Sequence, residues 1–123
     1  MYCFDTNVIV DIIKGDKDIL PKLEGIAFSP IFITPINLCE LYSGPRKIED
    51  VDSLLVSSGI GILDFSAEAC RLFGIEYQKL KVKGRLIPEA DLMITSIVKA
   101  HNLTLVTRDK KHFLGLGIKV EVW

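Results

Sequence analysis

The 123-residue sequence predicts an α/β domain of three layers: a central, mainly parallel, twisted sheet flanked by helices. Three observations carry that expectation. Short apolar runs of strand length alternate with longer segments of helical spacing along the whole chain. Gly15, Gly44, Gly59 and Asn102 stand where helical segments should stop, and Pro35 and Ser66 where they should start. Strands separated by helices pair in parallel through right-handed crossovers, which brings helices onto both faces.

The elements follow in order. "MYCF" reads as a short strand and "NVIVDIIKG" as a helix stopped by Gly15. Residues 16–26 suit a second helix, with Asp16 or Asp18 near its start, where an acid complements the helix dipole. "IFIT" (31–34), between Pro30 and Pro35, is the second strand, and "PINLCELYSG" has the proline-first, glycine-last asymmetry of a helix. "RKIEDVDSLLVSS" is a further helix ending before Gly59, and "IGILDF" (60–65) a third strand that would contain Asp64. Ser66 is placed to cap a long helix, "SAEACRLFGIEYQKLKVKG". "PEADLMITSIVKAHN" is the last long helix, with His101 in its final turn and Asn102 as a left-handed cap. "LTLVT" and "IKVEVW" are strands around the short turn or helix "RDKKHFLGLG". No repeat, linker or low-complexity stretch divides the chain, so residues 1–123 are expected to form a single domain.

Composition narrows the function. With 49% hydrophobic and 25% charged residues the chain can build a core without staples. No apolar run reaches the ~18 residues of a membrane span, and no signal peptide is visible, so a cytoplasmic protein is expected. Cys3, Cys39 and Cys70 lack the spacing of a disulfide framework or zinc knuckle and read as free, buried thiols. A net charge of −1 argues against a domain that coats nucleic acid electrostatically. Charge is nevertheless uneven: "KLKVKGR" (79–85) holds four cations and no acid, and suits RNA or an acidic partner equally. The generous apolar fraction hints at an oligomer or partner surface.

In open α/β sheets, sites form beyond the carboxyl ends of the strands. Asp5 follows the first strand there, Glu40 lies in the helix after the second, Asp109 follows "LTLVT", and Asp91 opens the last long helix. Asp11 lies further along its helix and is not expected to converge with them, and Asp64 is ranked lower because it sits inside a strand. Each acid also has a structural explanation. Asp5 and Asp109 could cap helices, Asp91 could complement a dipole, and Glu40 could face solvent. Taken together, however, four carboxylates at one edge would repel one another and either raise their pKa values or bind a cation. All-oxygen ligands of that kind suit Mg²⁺ or Mn²⁺. His101 and His112 do not suggest a softer metal: His101 reads as a dipole partner at its helix end and His112 as a surface or substrate contact. A divalent ion in an acidic pocket supports phosphodiester hydrolysis.

The motifs "FDTNVIVDI", "NLCELYSG" and "EADLMITSIVKAHNLTLVTRDKKHF", in that order and followed by a terminal strand, resemble the PIN-domain family, in particular the VapC-type toxin ribonucleases of toxin–antitoxin pairs. The resemblance spans essentially the whole chain. It implies a three-layer PIN-like fold, an endoribonuclease dependent on Mg²⁺ or Mn²⁺, an RNA substrate, a VapB-type antitoxin and a homodimer. It carries over Asp5, Glu40, Asp91 and Asp109 as an acidic catalytic and metal-binding quartet, with Thr6, Asn7 and Thr107 in support. Asn37 departs from the family pattern, standing where Ser or Thr is common, and Glu89 adjoins the third acid. Arg46, Lys47, Arg108, Lys110 and Lys111 are candidates to hold RNA phosphates near the site. Rival chemistries fit less well: an aspartate phosphatase or receiver domain needs a D-x-D pair or a strand-end Lys, and neither "GIG" (59–61) nor the "GLG" near the end completes a dinucleotide fingerprint. The remaining alternative is a catalytically silent PIN-fold binding module.

Overall fold

Tyr2 and Cys3 pair in parallel with Ile31 and Phe32 on one side and with Thr104 and Leu105 on the other, so the first strand lies at the centre of the sheet. The computed structural model describes residues 1–123. Its elements run β1 (Tyr2–Phe4), α1 (Thr6–Ile13), α2 (Ile19–Gly25), β2 (Ile31–Ile33), α3 (Pro35–Ser43), α4 (Ile48–Ser58), β3 (Gly61–Ile62), α5 (Ala67–Val82), α6 (Glu89–Ala100), β4 (Thr104–Thr107), a 3-10 turn (Lys110–Phe113) and β5 (Lys119–Val122). The strand order is β3-β2-β1-β4-β5, and every pairing is parallel. The chain therefore builds outward from β1 in one direction, then returns to build outward in the other. The switch point between β1 and β4 is where such sheets open a crevice.

Side-chain alternation along the strands feeds two cores. Cys3 and Leu105 point to one face, where they join Ile94, Ile97 and Val98 of α6. Phe4 and Val106 point to the other, against Val8 and Ile9 of α1, Leu41 of α3, Val51 of α4 and Trp123. Phe4 meets Trp123 edge-on, with ring centroids 5.1 Å apart, an arrangement aromatic quadrupoles favour.

Helix starts and stops mostly follow the side-chain chemistry. Ser66 Oγ accepts the Ala69 N–H at 3.2 Å, and Asn102 adopts φ 52° after α6. Gly59 ends α4 at φ 68°, where a Cβ would strain the backbone. Three expectations need correction. The third strand is confined to Gly61–Ile62, because it is an edge strand whose chain soon turns toward the Ser66 cap; Asp64 lies outside it, and its carbonyl meets His101 Nε2 at 3.2 Å. The second helix starts only at Ile19, since the Asp16 carboxylate instead accepts the Asp18 N–H at 2.8 Å in a local turn. Of the three thiols only Cys3 is buried; Cys39 and Cys70 are exposed on helix faces turned from the core. Burial first, then the nearby Asp5 charge, pushes the Cys3 thiol up to about 12, so it packs as an inert small hydrophobe.

Candidate active site

Asp5 is the first residue beyond β1, and its N–H extends the β1–β4 pairing by donating to the Val106 carbonyl at 2.9 Å. It serves as the cap of α1 and as a wall of the groove beyond it. Three donors converge on its carboxylate. Oδ1 accepts the Thr6 N–H at 2.9 Å and the Asn37 amide at 3.3 Å, and Oδ2 accepts the Thr107 hydroxyl at 2.7 Å. Because Thr107 Oγ1 itself accepts the Asp109 N–H at 3.0 Å, its single proton points to Asp5. The side chain is 8% exposed, so these donors replace water that burial removes.

The groove at this edge measures about 610 Å³ and is lined by Asp5, Thr6, Asn7, Asp11, Glu40, Asp91, Asp109 and His112, among others. The structure thus brings the four sequence-predicted acids to one hollow. Thr6 Oγ1 donates to Glu40 Oε1 at 3.1 Å. Asn7 Oδ1 accepts the Arg108 N–H at 3.3 Å, which ties α1 to the segment after β4.

Electrostatics registers the crowding. Glu40 is raised above the ordinary glutamate value, first by loss of hydration and then by the charges of Asp5 and Asp91, against the Thr6 hydrogen bond. Asp91 is raised by burial and by Asp5 and Asp109, while His112 opposes the rise. A carboxyl that holds its proton more tightly when folded makes the folded state bind more protons than the unfolded one. The stability these two groups contribute is therefore present in acid and is lost as pH climbs from the ordinary carboxylate range through their raised values. Glu40→Gln should accordingly melt at or above the parent at pH near 7 without metal, the two converging toward pH ~4. Melting curves across that range check the sign.

Two groove residues escape a reading by strand ends. Asp11 converges after all, because it lies four residues after Asn7 on the same face of α1. Its Oδ2 holds Arg108 Nη1 at 2.8 Å, and Asp16 Oδ2 stands 3.5 Å from the same nitrogen. His112, read as a surface or substrate contact, stands half-exposed at the groove, with Nδ1 2.8 Å from Asp91 Oδ2 and Nε2 3.4 Å from Asp109 Oδ2. The D-x-x-H spacing places Asp109 and His112 together, whereas the Asp91 contact needs the fold.

A family model for the PIN domain matches residues 2–116. The chain belongs to the PIN domain family. Ribonuclease VapC2 of Rickettsia felis is 31% identical over 131 residues, covering 100% of this chain and 98% of that protein. Ribonuclease VapC3 of Methanocaldococcus jannaschii is 32% identical over 93 residues, 76% of this chain and 93% of the other. Among solved structures, VapBC2 from Rickettsia felis bound to a DNA fragment from its promoter superposes with a TM-score of 0.87 at 35% identity, over 99% of this chain and 98% of that one.

In this PIN domain the groove's donors are hard oxygens with one imidazole at the margin, a set whose chemistry fits Mg²⁺ or Mn²⁺. No three acidic, His or Cys side chains close around a point as a ready cage. The five candidate phosphate-binding cations lie outside the groove lining. Arg46 and Lys47 link α3 to α4, Arg108 is engaged by Asp11 and Asp16, and Lys110 and Lys111 are exposed on the 3-10 turn just after Asp109.

Proposed function

We propose that this PIN domain is a metal-dependent endoribonuclease, the toxin of a VapBC-type toxin–antitoxin pair, acting as one nuclease unit of 123 residues. The observation that carries the reading is the meeting of Asp5, Glu40, Asp91 and Asp109 in one groove at the switch point of the sheet. The VapC ribonucleases it resembles over nearly its whole length support the same chemistry.

Asp5, Glu40, Asp91 and Asp109 would hold Mg²⁺ or Mn²⁺. When bound, the ion supplies positive charge for phosphoryl oxygens and acidity for water. The chain's own residues do the rest. Asp5 is kept in one orientation by its three donors. Glu40, oriented by the Thr6 hydroxyl at 3.1 Å, is placed in the groove to accept a proton from the attacking water. Thr107 and Asn7 tie the end of β4 to α1 and so fix Asp109 relative to Asp5. Water attacks phosphorus as the P–O3′ bond breaks; the water's proton passes to Glu40 and the departing 3′-oxygen takes a proton from solvent, leaving 5′-phosphate and 3′-hydroxyl ends. Lys110, Lys111, Arg46 and Lys47 offer charge to RNA phosphates at the margins, where local potential outweighs net charge.

No helix is long and apolar enough to cross a membrane, and an RNA substrate fits a cytoplasmic location. A VapB-type antitoxin and a second copy of the chain are its partners. Exposed Phe28, Val56, Val82 and Leu86 are apolar side chains that such partners would cover.

Incubating the purified protein with labelled RNA, with Mg²⁺, with Mn²⁺ and with EDTA, tests the activity. Cleavage with either ion, abolished by EDTA and leaving 5′-phosphate ends, is the expected result. Binding of RNA without cleavage under any ion would favour the silent binding module.

A further inference from the structure

We propose that Asn37 is a positioning residue for the acidic groove: its buried carboxamide sets the orientation of Asp5 and, through the Thr6 hydroxyl, of Glu40, a role that rests on the divalent-cation reading above. Asn37 is 0% exposed. All four of its side-chain hydrogen-bonding positions are used. Oδ1 accepts from the Thr34 N–H at 3.2 Å and the Thr34 hydroxyl at 2.6 Å, while Nδ2 donates to Asp5 Oδ1 at 3.3 Å and to Thr6 Oγ1 at 3.0 Å.

This arrangement has one direction. Thr34 Oγ1 accepts the Asn37 N–H at 3.2 Å and gives its own proton to Asn37 Oδ1. A flipped amide would turn NH₂ toward the Thr34 backbone N–H, which can only donate, and its oxygen toward the Asp5 carboxylate, both repulsive. Thr6 Oγ1, receiving a proton from Asn37, has its own proton free for Glu40 Oε1 at 3.1 Å. Donation therefore runs from the end of β2 through Asn37 and Thr6 to Glu40, with a branch to Asp5. A hydroxyl side chain carries a single proton and could not donate to Asp5 and Thr6 at once.

Two jobs are separable within the one side chain. The Asn37 oxygen completes the capping box that starts α3. Its nitrogen faces only Asp5 and Thr6. Groups that orient metal-binding carboxylates from behind typically change metal affinity or activity by about 10- to 100-fold when removed.

The test is Mn²⁺ binding by calorimetry to the RNA-free, full-length protein, beside the Mn²⁺ dependence of RNA cleavage. Asn37→Ala should weaken Mn²⁺ binding about 10- to 100-fold and shift the Mn²⁺ dependence of cleavage equally, with KM for RNA at saturating Mn²⁺ unchanged. Thr6→Val leaves the α3 cap whole and should weaken Mn²⁺ in the same direction, and Thr6→Ser should restore it. In the double variant Asn37→Ala/Thr6→Val the two losses of Mn²⁺ affinity should be clearly less than additive, which a purely structural Asn37 would not produce. A folded Asn37→Ala that binds Mn²⁺ like the parent overturns the proposal. Should Asn37→Ala fail to fold, unchanged binding in Thr6→Val overturns it instead. Asp5→Asn runs alongside: if it alone loses Mn²⁺, the role of Asn37 falls; if it too binds like the parent, the cation reading of the groove falls, and Asn37's role with it.

Discussion

Asp5→Asn should lower the rate of RNA cleavage by about 10³-fold or more, some 4 kcal/mol of transition-state stabilisation at 1.4 kcal/mol per decade. The same change should leave the metal-free melting temperature unchanged or higher. The local geometry explains why the two readouts part. Asparagine keeps an oxygen for the Thr6 and Asn37 donors that now meet Asp5 Oδ1. Its NH₂ would face Thr107 Oγ1, a hydroxyl that can accept as well as donate. The cap of α1 survives, while one negative charge leaves a groove shared with Glu40, Asp91 and Asp109. Asp5→Ala differs: it strands buried donors, at a cost of about 1–3 kcal/mol each. Initial rates on one RNA, with melting curves in EDTA, separate an acid that serves chemistry from one that only caps a helix. A large loss of stability in Asp5→Asn would show that the hydrogen bond from Thr107 to the carboxylate outweighs the relief of charge crowding.

Phe4→Ala is expected to have the largest effect on stability. The ring is fully buried between the helices of one face and Trp123. Large-to-small changes of a buried phenylalanine cost about 3–5 kcal/mol, against a total of roughly 5–15 kcal/mol for a typical domain. A fall in melting temperature of about 10–20 °C follows from the usual entropy of unfolding at this size. Phe4 is also the residue before Asp5, on the central strand, so a collapse of its cavity would move the groove. Residual cleavage should then disappear at a lower temperature than in the parent. A fall of only a degree or two would mean that the site repacks freely.

How much of this was legible in the chain depends on distance along it. Polar residues directly after strand-length apolar runs located Asp5 and Asp109, because a chain leaving a parallel sheet must pass its carboxyl edge. Local caps such as Ser66 and Asn102 were readable for the same reason: their partners lie within a few residues. Contacts spanning most of the sequence were not. Thr107 and Asp5 are 102 positions apart, and Arg108 and Asp11 are 97 apart, so no local pattern reports either pairing. Asp11's distance from Asp5 along the chain hides its place in the groove, although helical periodicity returns it to the face of Asn7. Asn37 was visible only as a departure from a family pattern. The commitment of its amide oxygen is local to the α3 cap, but the partners of its nitrogen lie 32 and 31 positions away and no local pattern reports them. "IGILDF" is apolar apart from Asp64 and so has the pattern of a full strand, whereas an edge position and the following cap limit its pairing to Gly61–Ile62.

The central claim is that these carboxylates share a hard divalent ion, and Mn²⁺ added to the metal-free protein tests it most directly. In the parent, Mn²⁺ at about 100 times its dissociation constant should stabilise the fold by roughly 2.7 kcal/mol through linkage, seen as a higher melting temperature. That rise should vanish in Asp5→Asn and Asp91→Asn. A parent whose melting temperature ignores Mn²⁺, or variants that respond as strongly as the parent, would contradict it.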